Sequence, residues 1–445
     1  MRKKLVLLLL AAGVFLLAAT QWSFAQKVKL VLGGHTESVI TYEGENIGQW
    51  ALLVREFNKE HPDIEVEYNA IAPGGRTMED VVITMLRARA GTYDVYTADV
   101  FWPSLFVARE WLAPVEEVFP EEEWQDFVPA MIDSFRSDGH IYGVPFMNDF
   151  RILVYRKDLL EEAGIEPPDT WMDLVDAAVK LQDPPNLFGY CGDWGVHPDT
   201  DWQGMFWSNG GVQWTDTHVT LNSPEGIEAL QLMVDMNNSY QILEPGATTI
   251  SYEGAQRIFI EGKAVFHQGW LSTYTNSQKE GSKVIGKVGI LRLPRFKKSS
   301  PENVESTLGG WSWVINPNTK NKDAALELVK WLSKKETLKW MTLNWAGVAP
   351  ARLSLYRDSD VLEKYPPYRI LADLVSYTRV RCPDYPFHTQ WFDIARAEIP
   401  RAIEGKKTAK EALDTIAEAV SEWAELPLKY PVELVENRKV ESSPN

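Results

Sequence analysis

The sequence predicts an α/β fold, a parallel or mixed sheet covered by helices. Two observations carry this. Short apolar runs alternate with amphipathic stretches from Lys27 to Asp99, the pattern of strands and helices that pack in layers. The alternation restarts after Gly143 and runs on to a last long helix around Thr408–Trp423.

The chain opens with Arg2, Lys3 and Lys4 before an apolar run from Leu5 to Ala19. That run is shorter than the roughly 20 residues that span a bilayer. Ser23-Phe24-Ala25 sets small residues at the −3 and −1 positions, so residues 1–25 read as an export signal cleaved before Gln26. An uncleaved anchor is the alternative. No cysteine follows the run, so no lipid-anchored mature N-terminus is expected, and the mature chain is assigned to a periplasm.

Lys27 to Leu32 reads as a strand leading to Gly33-Gly34. Gln49 to Glu60 reads as a helix, with Leu53 and Phe57 one turn apart and Pro62 beyond its end. Ile64, Val66 and Tyr68 alternate with polar residues, as in a half-buried strand. A helix is expected over Glu79–Arg89, then a strand over Tyr93–Ala98 whose end presents Asp99. After Gly143, Phe146–Tyr155 is strand-like and Lys157–Ala163 helical, with Gly164 placed as a left-handed C-terminal stop. Thr170 caps a helix running to about Leu181, and Glu225–Asn237 is helical. Strands are expected at Lys263–His267, Gly289–Leu293 and Ser312–Ile315, and helices at Asp323–Leu332 and Glu336–Met341. Thr408 and Glu411 form a capping box ahead of the stripe Leu413, Ile416, Val420 and Trp423, which reads as core.

Whole-chain properties exclude several function classes. The formal charge is −17, and −20 once the three positive leader residues are gone. Such a surface repels nucleic acid and anionic lipid. The 18 Trp are many; most belong to core or surface, and a minority suit stacking on an apolar ligand face. Cys191 and Cys382 are the only cysteines and can form one disulfide or stand as two thiols. No His or Cys cluster has metal-ligand spacing, and no cofactor or catalytic motif is expected.

Several strings, in order, carry a family resemblance: Phe57–Val66, Asp94–Asp99, Gly143–Trp171, Gly262–Phe266, Thr307–Trp311 and Gly405–Leu413. The chain resembles the extracellular solute-binding proteins of carbohydrate ABC importers (family 1), and within them looks most like the trehalose/maltose-binding members. The resemblance implies the type II periplasmic-binding-protein fold, two α/β lobes with a three-crossing hinge and the ligand clamped between. Crossings are expected near Gly139–Pro145, Gln268–Trp270 and Trp311–Ile315. The first lobe then holds 27–142 plus 271–311, and the second 143–270 plus 312–445. It further implies a monomer that captures a di- or oligosaccharide and meets the permease subunits of an importer.

A sugar site needs acceptors for hydroxyl hydrogens, donors for hydroxyl oxygens and flat apolar faces. Charged partners make the stronger bonds. Asp99, at a strand end and followed by Trp102, is a ligand acceptor by the resemblance; its alternative is an N-cap for a helix from Trp102. Asp149, a charge within an apolar strand, is a second acceptor, with an ion pair to Arg151 as the alternative. Trp270 and Trp311 align with stacking residues, and Gly310 lets backbone approach a hydroxyl. Trp102, Glu37, Arg76 and Arg381 complete the ligand-binding candidates, with Glu43, Glu45 and Arg379 competing for two of these places. Met147 stands where relatives carry an aromatic residue. Two other readings are a secreted glycosidase, using Asp99 and Asp149 as its carboxylate pair, and a binder of a metal or phosphate.

Overall fold

The structure is a computed structural model that describes residues 27–36, 38–72, 75–300, 306–345, 349–381 and 387–430. The expected export segment, Glu37 and Cys382 lie outside these residues. Cys191 is a buried thiol.

Among the described residues, ten strands join in one sheet. They are β1 (Val28–His35), β2 (Ile64–Ala72), β3 (Val95–Asp99), β4 (Val144–Arg156), β5 (Phe188–Cys191), β6 (Ala264–Trp270), β7 (Val288–Leu291), β8 (Ser306–Ile315), β9 (Ala349–Pro350) and β10 (Thr378–Val380). The order is β2-β1-β3-β8-β4-β6-β5, with β7 and β9 also on β4 and β10 on β8. β1 runs parallel to β2 and β3, whereas β8 is antiparallel to both β3 and β4.

β4 belongs to both halves of this sheet. Its residues from Val144 to Phe150 pair with β8, and those from Arg151 to Arg156 with β6 and β7. It is buried along almost its whole length, so its polar residues Asn148, Asp149 and Arg151 must each find a partner or face the cleft.

Helices cover each half. On the first, α1 (Gln49–Glu60) and α2 (Gly75–Arg87) pack against β2, and α3 (Lys322–Ser333) packs against β8, β4 and α1. On the second, α4 (Pro198–Ser208) and α5 (Pro224–Asn238) pack with α6 (His388–Ile403), which pairs in turn with α7 (Ala409–Ala424). Leu30, Phe57, Val144, Trp313 and Leu328 share one core cluster. The two halves are the two lobes.

The chain divides between them differently from the sequence expectation. Within 271–311, the helix Leu271–Ser277 packs on β6 and β4, and β7 pairs with Leu153–Arg156, so 271–291 stay in the second lobe, while Trp311 pairs with Asp99 of the first. Residues 312–355 return to the first lobe, where Trp313, Ile315, Leu338 and Leu355 pack with Leu30 and Phe57. The reason is the length of β8. Its ten residues span both halves, and its C-terminal end pairs with β3. Passages between lobes therefore run along β4 near Asn148–Phe150 and along β8 near Leu308–Gly310.

Local signals explain many boundaries. Gly164 takes φ 63° and stops the helix Lys157–Ala163. Thr170 with Asp173, and Thr408 with Glu411, form reciprocal capping boxes, each stabilising by about 1 kcal/mol. Most indoles are core: Trp50, Trp313 and Trp345 meet edge to face in the first lobe. Among the described residues no helix is long and apolar enough to cross a membrane.

Candidate functional site

β8 lies between two strands that each bring a carboxylate. Its register sets Trp311 opposite Asp99 of β3 and Gly309 opposite Asp149 of β4. β6 adds Trp270 beside Arg151 of β4. Asp99, Asp149, Trp270, Gly310, Trp311 and Arg381, six of the sequence candidates, thus line one cavity at the junction of the lobes, together with Met147, His197, Tyr252 and Gly309. Its volume is about 200 Å³.

Burial dominates the electrostatics. Desolvation lifts Asp99 from 3.8 to about 7, against the opposing charge of Arg381 and the N–H groups of Val100 and Phe101. Its Oδ1 has no hydrogen-bond partner, and the Arg381 Nη2 stands 3.8 Å away. Asp99 does not cap the following helix, which starts at Pro103 with no side-chain cap. Asp149 is likewise raised to about 7 by burial. Its Oδ1 accepts from the backbone N–H groups of Phe150 (2.9 Å) and Leu271 (3.1 Å). Arg151 turns away from it into the second lobe, donating to Asp193 (2.5 Å) and to Asp201.

The indoles are held from behind. Trp311 meets His35 edge-on at 4.0 Å and Trp102 at 5.6 Å. Trp270 carries the Arg151 guanidinium at 5.0 Å and that of Arg381 at 5.5 Å. Gly310 has φ 140°, and a Cβ there would stand 2.6 Å from the Met147 carbonyl oxygen, so only glycine fits. At Gly309 a Cβ would crowd the Trp270 ring at 3.0 Å.

A family model for bacterial extracellular solute-binding proteins matches residues 44–339. The chain belongs to that family. A probable ABC transporter-binding protein of Deinococcus radiodurans is 31% identical over 300 residues, covering 65% of this chain and 69% of the relative. The sn-glycerol-3-phosphate-binding periplasmic protein UgpB of Escherichia coli K12 is 26% identical over 430 residues, covering 87% and 93%. Maltose-bound MalE3 of T. maritima, a solved structure, matches with TM-score 0.78 at 28% identity over 89% of this chain and 99% of that one. The two-lobed type II architecture agrees with that match. These are solute-binding proteins and not enzymes, so the glycosidase alternative falls.

Two candidates lie elsewhere in this solute-binding protein. Trp102 is fully buried, and packs behind Trp311 without reaching the cavity. Arg76 is half-exposed on α2, with Asp80 at 3.3 Å and Asp393 at 3.5 Å. Its turn places it on a helix surface, where a cation finds carboxylate neighbours rather than the cleft. Sequence reasoning missed His197 and Tyr252. Both sit just ahead of, or at the start of, a helix, where no periodicity marks them. The nearest signals are Pro198 after His197 and Ser251 before Tyr252.

Proposed function

We propose that this protein captures a di- or oligosaccharide, an α-glucoside of the maltose or trehalose type, outside the cytoplasm and delivers it to the permease subunits of an ABC importer. One observation carries the reading: two indoles and two desolvated carboxylates meet around a single cavity at the lobe junction, and one carboxylate oxygen is left without a partner. A saccharide supplies what such a wall lacks. Its CH faces cover indoles, and its hydroxyls donate to buried carboxylates whose hydrogen bonding is otherwise incomplete, which is costly. Maltose-bound MalE3, similar over most of the chain, supports the same ligand class.

The mechanism follows from contacts on both lobes. Asp99 and Trp311 are first-lobe residues, while Trp270 belongs to the second. A ligand touching both binds the closed arrangement better than the open one and shifts the population toward it. The closed, loaded monomer is the form a permease reads. The leader through Ala25 puts the protein in the periplasm. Titrating intrinsic fluorescence with maltose, trehalose and β-linked disaccharides tests the reading, because Trp270 and Trp311 report occupancy. A saturable change with an α-glucoside is expected. Silence toward every saccharide overturns it.

A further inference from the structure

The saccharide reading leaves His197 without a role, and a role for it rests on that reading. His197 immediately precedes α4 and lines the cavity between Tyr252 and Trp270, with ring centroids 6.3 and 6.1 Å away. Its Nδ1 lies 2.7 Å from Asp193 Oδ2. Asp193 is fully buried and also takes two hydrogen bonds from Arg151, at 2.5 and 3.2 Å. An ionised carboxylate only accepts, so Nδ1 carries the hydrogen. Burial outweighs the pull of Asp193 and holds the ring below its ordinary pKa of 6.5. In the neutral ring the lone pair therefore falls on Nε2, and the edge opposite Asp193 presents an acceptor.

Two carboxylates add acceptors to the wall, and Arg381, whose buried Nε has no hydrogen-bond partner, adds donors. Asp99 Oδ1 is unpartnered and Asp149 accepts two backbone N–H groups. Arg381 is the one cation among the lining residues. It stands 3.8 Å from Asp99 and stacks on Phe101 at 4.9 Å. A ligand rich in hydroxyl hydrogens matches three acceptors. A phosphate dianion meets two carboxylates, and like charges brought together cost several kcal/mol.

We propose that His197 is the third acceptor of the cleft: its Nε2 takes a hydrogen from a saccharide hydroxyl, and the acceptor-rich wall selects uncharged polyhydroxylated ligands over phosphorylated ones. Asp193 and Arg151 act through it as positioning residues, since they fix the tautomer and hold the ring against Trp270. The relative UgpB is named for a phosphorylated ligand, so the selectivity separates this chain from a protein of similar sequence.

Calorimetry tests this with maltose, trehalose, the monodeoxy maltoses and sn-glycerol 3-phosphate, on wild type, His197→Phe and His197→Gln. The Phe variant keeps a flat ring and loses the acceptor. The Gln variant can donate to Asp193 and still accept from the ligand. His197→Phe is expected to weaken maltose or trehalose binding about tenfold, the scale of one hydrogen bond, and His197→Gln to restore most of it. One monodeoxy maltose should bind wild type more weakly than maltose does, yet bind His197→Phe equally well. Glycerol 3-phosphate should give no binding heat. Equal saccharide affinity in wild type and His197→Phe overturns the acceptor role, and so does a deoxy penalty that persists in the variant. Glycerol 3-phosphate binding as tight as maltose overturns the selectivity. Absence of saccharide binding in wild type itself is a different failure, that of the underlying reading, and takes the inference with it.

Discussion

Replacing Asp99 with Asn should weaken the ligand and strengthen the empty protein, and the two effects have separable magnitudes. Asp99 is 6% exposed, and its Oδ1 takes no hydrogen bond, with Arg381 Nη2 3.8 Å away. On the proposed reading it accepts a hydroxyl hydrogen from the bound ligand. A hydrogen bond to a charged group contributes about 1.5–3 kcal/mol, so Asp99→Asn should lower maltose affinity by roughly tenfold to 150-fold. The empty protein responds in the opposite direction. Burial lifts the carboxyl from 3.8 to about 7. At about 1.36 kcal/mol per pK unit, the ionised form costs the empty fold on the order of 4 kcal/mol above pH 7. The sign follows from proton counts. Between these two values the folded state holds a proton that the unfolded state has released, so the stability linked to Asp99 is full below pH 3.8 and is lost as pH rises through 7. Asn carries no such dependence. Melting curves of ligand-free wild type and variant should therefore coincide most closely near pH 4 and separate toward pH 8, with the variant melting higher. Calorimetry with maltose measures the affinity loss on the same samples. Unchanged affinity, or a melting difference independent of pH, would refute the reasoning.

Four further outcomes are expected. Trp270→Ala and Trp311→Ala should each cost maltose about thirtyfold or more in affinity, as aromatic anchors at the centre of a contact do, measured by calorimetry. Gly310→Ala should destabilise by about 1–3 kcal/mol, because its Cβ would stand 2.6 Å from the Met147 carbonyl oxygen; urea unfolding reads this. Maltose affinity should fall as pH drops from 8 to 6. Burial raises Asp99 and Asp149 to about 7, and hydroxyl donors of a bound saccharide would lower those values, so affinity should be full above 7 and decline below it; calorimetry in buffers of different ionisation enthalpy should also show proton release on binding. Arg76→Ala should change affinity less than about threefold, since its ion pairs are exposed.

Fold and site were legible to different depths. Helices with one apolar stripe or a strong cap came out with nearly their full extent: Gln49–Glu60, Trp171–Leu181 and Ala409–Ala424 all match their reading. α4 left no stripe to read, because every residue of Pro198–Ser208 is buried, Asp199 and Asp201 included. A helix apolar or enclosed on all sides loses its 3.6-residue signature. Lobe membership differs from the reading for 271–291 and for 312–345, because pairing of β7 with β4, and of β8 with β3, is a long-range choice that local patterning does not encode. At the site, Asp99, Asp149, Trp270 and Trp311 stand on or at the ends of strands, where an isolated polar or aromatic residue is conspicuous. His197 and Tyr252 depend on how α4 and the helix Tyr252–Ile260 dock, which only the packing reveals. Trp102 misled because an indole behind the cleft and an indole facing it look alike in sequence.

The most direct measurement is a crystal structure of the protein grown with maltose or trehalose. The account predicts one saccharide in the cavity between Trp270 and Trp311, with a hydroxyl oxygen within about 3 Å of Asp99 Oδ1 and another at His197 Nε2. An empty cleft with Asp99 still facing Arg381 at saturating sugar, or a sugar bound away from both indoles, would contradict it.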